Sequence, residues 1–310
     1  MKDKLVTLFG GGGFVGRYVA QALLADGARV RIAQRDPRQA FFVKPLGGLG
    51  QTQFVAADVT RADSVARAIA GADHVVNVVG SFANATAINA DGARAVAEAA
   101  ARAGVHALVH ISAIGADRES PSLYGRSKGE GEAAVRTAFP SATILRPSTI
   151  FGREDGFTNR FAALIARAPV LPVLRPGTRF QPVYVKDVAD AVVAALRNPG
   201  AAAGRTFELG GPEVMSMLEV QRRLADAIGR RQTMVEVPDV AGAAIAALGF
   251  LPGAPITADQ WKMLQRDAVA AGDAPGLEAL GIVPTPLASV APQWLVRYRR
   301  QGRFAKRQSA

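Results

Sequence analysis

The stretch from Leu5 to Leu24, LVTLFGGGGFVGRYVAQALL, decides the fold of this chain. Its first five residues are mostly apolar and predict a buried strand. Four glycines follow, from Gly10 to Gly13, and beyond them apolar side chains recur at the spacing of one helix face. The stretch therefore predicts a strand, a glycine-rich turn and a helix.

The glycines of this turn have the spacing Gly10-x-x-Gly13-x-x-Gly16. In such a unit the first glycine permits the tight turn, the second lets the backbone approach a pyrophosphate, and the third lets the helix pack on the strand. The N–H groups at the helix start, around Phe14 and Val15, can then hold phosphates. We predict a dinucleotide site at these residues, and a glycine-rich loop without a ligand is the alternative.

Predicted strands and helices alternate over residues 1–150, a pattern typical of an α/β protein with a doubly wound parallel sheet. We expect residues 1–200 to form a nucleotide-binding domain and residues 201–310 to form a smaller C-terminal lobe with a basic tail. Within that lobe, Ser216 and Glu219 have the spacing of a capping box and predict a helix that runs to Gly229.

The end of the second predicted strand indicates which dinucleotide the site holds. NAD sites usually place an acid there to bind the ribose hydroxyls, whereas this chain has Gln34 and then Arg35. Because a guanidinium can grip a 2′-phosphate with two hydrogen bonds, Arg35 favours NADP(H). Arg38 and Lys44 are further basic candidates. The alternative is that Arg35 only ends a strand and Asp36 binds the ribose.

Two other strand ends supply candidate cofactor contacts. Asp58 and Val59 follow the third predicted strand, where an acid and a branched apolar residue can contact the edge and face of an adenine; an ordinary strand end is the alternative. Val79 and Gly80 end the fourth strand. Because ligands sit at the carboxyl ends of parallel strands, we expect this strand end, Gly80 with Ser81 after it, beside the ribose and phosphates.

Tyr124 and Lys128 carry the candidate chemistry. They are four residues apart, so on a helix they share a face. An ammonium group beside a tyrosine should lower the pKa of the phenol, which could then exchange a proton with a carbonyl during hydride transfer. The same lysine can bond the nicotinamide ribose. The alternative is a cofactor contact without chemistry.

Composition excludes several classes of site. The 310 residues include no cysteine, which removes disulfides and thiolate chemistry, and the three histidines lack a carboxylate cluster, so we expect no metal. We also expect no signal peptide and no membrane span, since the apolar stretch 240–256 is broken by glycines and prolines.

The net charge of +11 is partly concentrated in the tail, residues 294–310, where basic and aromatic residues alternate without an acid. Such a tail could lie on an anionic membrane surface or an acidic protein, or be merely disordered. Nucleic acid is disfavoured, because no recognised reading module accompanies the charge.

Taken together, these motifs resemble the short-chain dehydrogenase/reductase superfamily in its extended or atypical branch. The matching pieces are, in order, Gly10-x-x-Gly13-x-x-Gly16, Asp58-Val59, the strand ending at Gly80, Tyr124-x-x-x-Lys128, Arg146 to Gly152, and Gln181 to Ala189. The resemblance implies a Rossmann fold and a nicotinamide cofactor, and it adds Pro147 to the cofactor contacts.

A narrower resemblance is to the NADPH-binding accessory subunit of respiratory complex I. It is carried by Arg146 to Phe161 and by Gln181 to Val185, and less specifically by the segment from Pro255 to Arg303. The resemblance implies a tightly held, mainly structural NADPH and complex I subunits as partners. It also implies a cytoplasmic, peripheral position on the inner face of the energy-transducing membrane.

One departure from the superfamily pattern bears on catalysis. Active relatives carry a serine or threonine just past the fifth strand, where this chain has Ser112, Ala113 and Ile114. If the third position is the working one, Ile114 cannot donate a hydrogen bond and Ser112 is a doubtful substitute. The alternative functions are a soluble NADP-dependent reductase or nucleotide-sugar epimerase using Tyr124 and Lys128, and a nucleotide-ratio sensor.

Overall fold

The computed structural model of the chain describes residues 1–251, 253–300 and 302. The strands in these residues are β1 (Leu5–Phe9), β2 (Arg29–Gln34), β3 (Thr52–Ala56), β4 (His74–Asn77), β5 (Ala107–Ile111), β6 (Thr143–Pro147), β7 (Ile150–Phe151), β8 (Val170–Leu174), β9 (Arg179–Phe180), β10 (Val183–Tyr184), β11 (Thr206–Leu209), β12 (Met215–Ser216) and β13 (Thr233–Val237).

The α-helices are α1 (Phe14–Ala25), α2 (Ala62–Ile69), α3 (Gly92–Arg102), α4 (Leu123–Ala138), α5 (Thr158–Arg167), α6 (Val185–Arg197), α7 (Pro199–Ala202), α8 (Met217–Ala227), α9 (Asp239–Ala247), α10 (Ala258–Met263), α11 (Leu287–Val290) and α12 (Pro292–Leu295). Three 3₁₀ segments (Pro37–Leu46, Glu278–Leu280 and Val296–Tyr298) and a π-helical turn (Thr86–Asp91) complete the helical structure of the described residues.

The chain forms two compact units that do not follow the predicted division at residue 200. Unit 1 contains Met1–Pro147, Val185–Leu209 and Ala270–Val283, and unit 2 contains Ser148–Tyr184, Gly210–Val269 and the described residues from Pro284 onward. The division differs because β11 joins the large sheet of unit 1 beside β6 and because Glu208 N–H donates to Pro275 O.

Unit 1 is built on a seven-stranded sheet in the order β11-β6-β5-β4-β1-β2-β3. Every pairing in it is parallel. Helix α1 packs against α6, whereas α3 packs against α2 and α4. From β1 the chain adds β2 and β3 on one side of the sheet and then β4, β5 and β6 on the other. The gap between β1 and β4 is therefore the topological switch point, where sheets of this kind bind ligands. The predicted doubly wound α/β fold is confirmed.

Strands β4 and β5, at the centre of this sheet, are covered on both faces. Every residue of β4 and β5 is buried, including His74, Asn77 and His110. Buried strands of parallel sheets carry near-continuous apolar runs, and the polar exceptions therefore need a local partner or a function.

A partly buried charge network joins α4, β6 and β11 within unit 1. The Arg146 guanidinium binds the Glu132 carboxylate with two hydrogen bonds of 2.8 and 2.7 Å, and it lies 3.3 Å from the Glu208 carboxylate. The second Glu208 oxygen accepts from Ala271 N–H. These bonds hold the pKa of Arg146 above its ordinary value, with the hydrogen bond to Glu132 as the largest cause.

Unit 2 contains three two-stranded pairings: β8 with β13 and β7 with β10, both parallel, and β9 with β12, antiparallel. Its largest buried cluster includes Phe151, Ile165, Leu171, Trp294 and Leu295. The predicted capping box is confirmed at α8, which begins at Met217 and ends at Ala227.

The first part of the predicted basic tail packs into unit 2. Trp294 is 6% exposed, and the Arg299 guanidinium donates two hydrogen bonds to Ala227 O at the end of α8. Residue 301 and residues 303–310 of the predicted tail lie outside the described residues. Among the described residues, no helix is both long enough and apolar enough to cross a bilayer, and no cluster of metal-ligating side chains is present.

The charge network predicts the stability of an Arg146→Leu variant. Removing the guanidinium leaves the buried Glu132 carboxylate without its countercharge, so we expect the free energy of unfolding to fall by about 3 kcal/mol. Urea unfolding measures the change. The double variant Glu132→Leu/Arg146→Leu should regain at least half of this loss; a double variant as unstable as the single one would contradict the explanation.

Candidate functional site

The predicted site residues meet at the carboxyl edge of the large sheet in unit 1. Gly10 follows β1, Gly80 follows β4, Ser112 follows β5, and Pro147 ends β6. Because β1, β4, β5 and β6 are parallel neighbours, these four strand ends lie side by side. The structure thus brings together residues that are far apart in sequence.

The glycine turn has the geometry that its spacing predicts. Gly10 has φ = +83°, a conformation that side chains disfavour. Gly13 N–H donates to Gly10 O at 3.0 Å, and a Cβ on Gly16 would lie 2.1 Å from the same oxygen. Helix α1 has no side-chain cap at Gly13, which leaves its first N–H groups available to an anion. Phe14 and Val15 form the start of this helix.

The end of β2 is hydrogen-bonded to the glycine turn. The Gln34 amide oxygen accepts from Gly12 N–H at 2.8 Å. Arg35, the next residue, is exposed and forms no ion pair within the described part of the chain. The Asp36 carboxylate, by contrast, accepts two hydrogen bonds from the Arg38 side chain and one from its backbone, and the Arg38 side chain holds the pKa of Asp36 below its ordinary value.

Lys44 is less available than Arg35, because its ammonium lies 3.8 Å from the centroid of the Phe41 ring and 5.6 Å from that of Phe54. Such cation–π contacts hold the lysine on the aromatic surface beside β3. Arg35 is therefore the basic residue at the end of β2 that remains open to a phosphate, and the NADP role of both residues stays a prediction.

Asp58 and Val59 lie in the turn after β3. The Asp58 carboxylate accepts from Thr60 N–H at 3.0 Å and from the Thr60 hydroxyl at 2.8 Å, and these bonds lower its pKa. Val59 is 8% exposed and packs so closely on α3 that a Cβ on Gly92 would lie 2.8 Å from it. Both residues support this turn, and their contact with an adenine stays a prediction.

Lys128 is buried at the centre of the sheet edge. Its side chain extends from α4 and is 2% exposed. The ammonium donates to Ile111 O at 3.1 Å, and a Cβ on Gly80 would lie 3.1 Å from it. Burial lowers the pKa of Lys128 to about 8, against the opposing influence of Glu132. An ammonium held in this way favours an anionic or hydroxyl-bearing ligand, which would restore its solvation.

The predicted lowering of the Tyr124 pKa is not what the structure shows, and the catalytic role of Tyr124 stays a prediction. The phenol ring stacks on the Phe82 ring, with centroids 4.3 Å apart, and the Lys128 ammonium lies 6.0 Å from the Tyr124 centroid. Burial raises the pKa of Tyr124 to about 12, the opposite of the expected direction. Helical spacing places the two residues on one face, but desolvation of the phenol is what sets the direction of its pKa shift.

The residues just past β5 only partly supply the hydroxyl group that would accompany Tyr124 and Lys128 in catalysis: a serine is present at the first position but not at the third. Ser112 is buried, and its hydroxyl has no hydrogen-bond partner in the described residues. Two residues on, Ile114 donates its backbone N–H to Pro147 O and offers an aliphatic side chain. A hydroxyl is therefore present at the strand end but not at the third position.

Asn89 is a site residue that sequence reasoning missed. It lies in the π-helical turn and is 1% exposed. Its amide nitrogen donates to Ser81 O and to the Ser127 hydroxyl, and its amide oxygen accepts from Ser81 N–H. Asn89 thus ties the loop after Gly80 to the helix that carries Lys128. A lone asparagine in an alanine-rich helix was the available signal.

His110 is the second missed residue. Its Nδ1 lies 3.3 Å from the Asn77 side-chain nitrogen, and the Asn77 oxygen accepts from Val79 N–H. Complete burial, together with the charge of Lys128, lowers the pKa of His110 to about 3, so the imidazole is neutral at pH 7. A neutral ring can accept from Asn77 and so fix the loop that holds Val79.

Comparison with known proteins identifies the family. The profile of the "NAD dependent epimerase/dehydratase family" matches residues 6–210. The chain belongs to this family. The resemblance to extended short-chain dehydrogenases and reductases is thereby confirmed, and a nicotinamide dinucleotide is the cofactor class of the family.

Several known proteins are similar to this chain over most of its length. NADH dehydrogenase (ubiquinone) 1 alpha subcomplex subunit 9 from Arabidopsis thaliana is 34% identical over 321 residues, covering 96% of this chain and 79% of that protein. The protein of the same name from Rattus norvegicus is 35% identical, covering 95% and 80%. A ceramide reductase from Caulobacter vibrioides is 34% identical over 261 residues, covering 81% and 80%.

Solved structures support the fold. The NADPH-dependent quinone oxidoreductase from Escherichia coli, solved with NADPH, superimposes with a TM-score of 0.75 at 19% identity, covering 94% of this chain and 99% of that one. Pal from Bacillus thuringiensis gives 0.73 at 18% identity, covering 94% and 98%. At such identities the likeness is one of fold.

The buried ammonium predicts that Lys128→Met stabilises the protein without ligand. Because the pKa of Lys128 is lower in the folded than in the unfolded chain, folding is penalised below about pH 8, and the penalty disappears as the pH rises through 10.5. Allowing for the lost bond to Ile111, we expect a gain of about 1–2 kcal/mol at pH 7.

Urea unfolding at pH 7 and pH 10 measures this gain, which should shrink at the higher pH. The exposed Lys186→Met serves as the control and should change little at either pH. A Lys128→Met protein that is less stable than the wild type at pH 7 would show that the ammonium is not under desolvation strain.

Proposed function

We propose that the chain is an NADP(H)-binding accessory subunit of respiratory complex I, in which the nucleotide has a mainly structural role. The observation that carries the proposal is the contrast between Lys128 and Tyr124. Lys128 presents a buried ammonium suited to holding a ribose hydroxyl, whereas the Tyr124 phenol, with a pKa of about 12, is a poor proton exchanger near neutral pH.

The surroundings of Tyr124 support the same conclusion. Phe82 stacks on its ring. If the third position after β5 is the one that polarises a substrate carbonyl, Ile114 there offers no hydroxyl. The site therefore offers groups suited to holding a nucleotide, whereas its groups for proton transfer are less suitable: a phenol of raised pKa and an aliphatic side chain at the third position after β5. Such a site fits retention of a nucleotide better than fast turnover.

The preference for NADP(H) over NAD(H) rests on Arg35. Its guanidinium is exposed at the end of β2, and the carboxylate that could bind a ribose 2′-hydroxyl, that of Asp36, is engaged with Arg38. A guanidinium that forms no ion pair with the described residues, although its charge helps to lower the pKa of Asp58, favours the extra phosphate of NADP(H).

The Arg35→Ser variant tests this preference. Losing one charge-assisted contact should weaken NADPH binding about 10- to 100-fold and leave NADH binding within about threefold. Fluorescence titration of both nucleotides measures the ratio. Arg29→Ser, at the other end of the same strand, is the matched control. Equal losses for NADPH and NADH would refute the role of Arg35.

Assembly with complex I is supported by the names of the relatives. The Arabidopsis and rat proteins are named as NADH dehydrogenase (ubiquinone) subunits and match nearly the whole of this chain. We assign the same partner to this chain, with a peripheral position on the inner, cytoplasmic face of the membrane. The nucleotide would then stabilise unit 1 in the assembled complex.

Affinity purification of the tagged chain from gently solubilised membranes tests this assignment. We expect stoichiometric recovery of the NADH:quinone oxidoreductase subunits, and we expect the Gly16→Val variant, whose side chain would collide with Gly10 O, to lose both nucleotide and complex. Recovery of the wild-type chain as a free protein would exclude the subunit role.

A second candidate function is reduction of a ketone on a lipid-like substrate. It is favoured by the ceramide reductase, which has the same 34% identity as the Arabidopsis subunit over a smaller share of this chain, 81% against 96%. It is also favoured by Tyr124 and Lys128 lying on one helix face. NADPH oxidation with a keto-ceramide would then depend on Tyr124, and Tyr124→Phe would abolish it without releasing the nucleotide. No turnover by the wild type would remove this candidate.

A further inference from the structure

Unit 2 contains a cleft lined by arginines that the nucleotide site does not use. The cleft has a volume of about 440 Å³ and is lined by Arg167, Arg230, Arg231 and Arg300 together with Ala166, Ala168, Pro169, Gly229 and Gln232. No acidic residue lines it, and none of the four arginines has an ion-pair partner in the described residues. We call it the arginine cleft.

The fold explains why these arginines converge. Strands β8 and β13 are parallel, so their first residues, Val170 and Thr233, lie side by side. The segments that enter the two strands bring Arg167 next to Arg230 and Arg231. Residues far apart in sequence are thereby concentrated at one end of a strand pair.

Arg300 completes the cleft from the C-terminal side. The preceding Arg299 is anchored by two hydrogen bonds to Ala227 O, which places the chain next to the end of α8. Gln232, another lining residue, donates a side-chain hydrogen bond to Ile165 O of α5. The lining is therefore held by hydrogen bonds from side chains to backbone carbonyls rather than by pairing of the four lining arginines with acids.

One arginine of the cleft, Arg230, has a buried hydrogen-bond donor, its Nε atom, without an acceptor in the described residues. A buried donor without a partner costs free energy, and four neighbouring guanidinium groups repel one another. A ligand with several negative charges would remove both costs, since guanidinium groups bind phosphate oxygens in pairs.

The surface beside the cleft indicates where such phosphates come from. The outward face of the β8–β13 pair carries Val170, Pro172, Thr233 and Val235, all exposed and uncharged. Val170 and Val235 are each 48% exposed. A basic cleft next to exposed apolar side chains is the arrangement that binds the headgroup region of an anionic bilayer.

We propose that the arginine cleft binds phosphate groups of anionic lipids and so attaches unit 2 to a membrane surface. This inference goes beyond the proposed function and does not depend on it, because it concerns a different unit and holds for a subunit or for a reductase.

Vesicle sedimentation with the full chain tests the proposal. Vesicles of phosphatidylcholine with phosphatidylglycerol are compared with vesicles of phosphatidylcholine alone at fixed ionic strength. We expect binding only to the former, and we expect the Arg231→Gln/Arg300→Gln variant to reduce the partition coefficient about 10- to 30-fold. Both substituted residues are exposed, so the melting temperature should not change.

The matched control is Arg153→Gln/Arg222→Gln, which removes two exposed arginines of unit 2 outside the cleft. Both variants keep Arg303, Lys306 and Arg307 of the sequence end. The control should lose less than threefold. Equal losses in the two variants, or none in either, would overturn the proposal, because binding would then reflect only overall charge or other residues.

Inorganic pyrophosphate distinguishes lipid phosphate from soluble phosphate. We expect pyrophosphate to displace the wild-type protein from vesicles. In calorimetric titration, we expect pyrophosphate to bind the Arg231→Gln/Arg300→Gln variant more weakly than the wild type. Pyrophosphate binding without any vesicle binding would uphold the cleft as a phosphate site and refute its attachment to a membrane.

Discussion

The candidate site depends on the Lys128 ammonium, which is buried at the carboxyl edge of the large sheet. Its neighbours accommodate this charge: Gly80 has no side chain to crowd it, and Ile111 O accepts its hydrogen bond. One turn further along α4, the Glu132 carboxylate opposes the fall in the pKa of Lys128, while its own oxygens are bound by Arg146. His110 stays neutral beside the ammonium. An ammonium desolvated in this way is poised for a ligand that carries hydroxyl or phosphate oxygens.

The sequence predicted those features that depend on local pattern. The glycine spacing predicted the turn, because the conformation of such a turn depends on the backbone alone. The structure confirms it: a Cβ on Gly16 would lie too close to Gly10 O. The alternation of strands and helices predicted the parallel sheet, and the Ser216–Glu219 spacing predicted the N-terminal cap of α8. Each of these follows from residues close together in the chain.

Features that depend on tertiary packing were predicted poorly. The spacing of Tyr124 and Lys128 placed both on one face, but desolvation by the surrounding fold raises the pKa of the phenol. Lys44 was one of several basic residues near β2, and only the structure shows it lying on Phe41. The pairing of β11 with β6, which moves residues 206–209 into unit 1, requires contacts between segments about 60 residues apart.

The same site is compatible with two kinds of relative, and its chemistry distinguishes them. A structural subunit requires a site that holds the nucleotide and protects it, which Lys128, Asn89 and the glycine turn can provide. A reductase also requires a proton donor of suitable pKa and a group that polarises the carbonyl. With Ile114 at the third position after β5 and Tyr124 stacked on Phe82, these requirements are met less well.

The most direct test of this account is to identify the nucleotide that co-purifies with the chain and to follow its exchange and oxidation. Mass spectrometry and absorbance identify the species and its oxidation state. Incubation with added NADP⁺ measures its exchange, and incubation with carbonyl compounds measures its oxidation. The account predicts stoichiometric NADPH that exchanges slowly and resists oxidation. A chain that holds no nucleotide, or one that exchanges freely and is oxidised by a carbonyl compound, would contradict it.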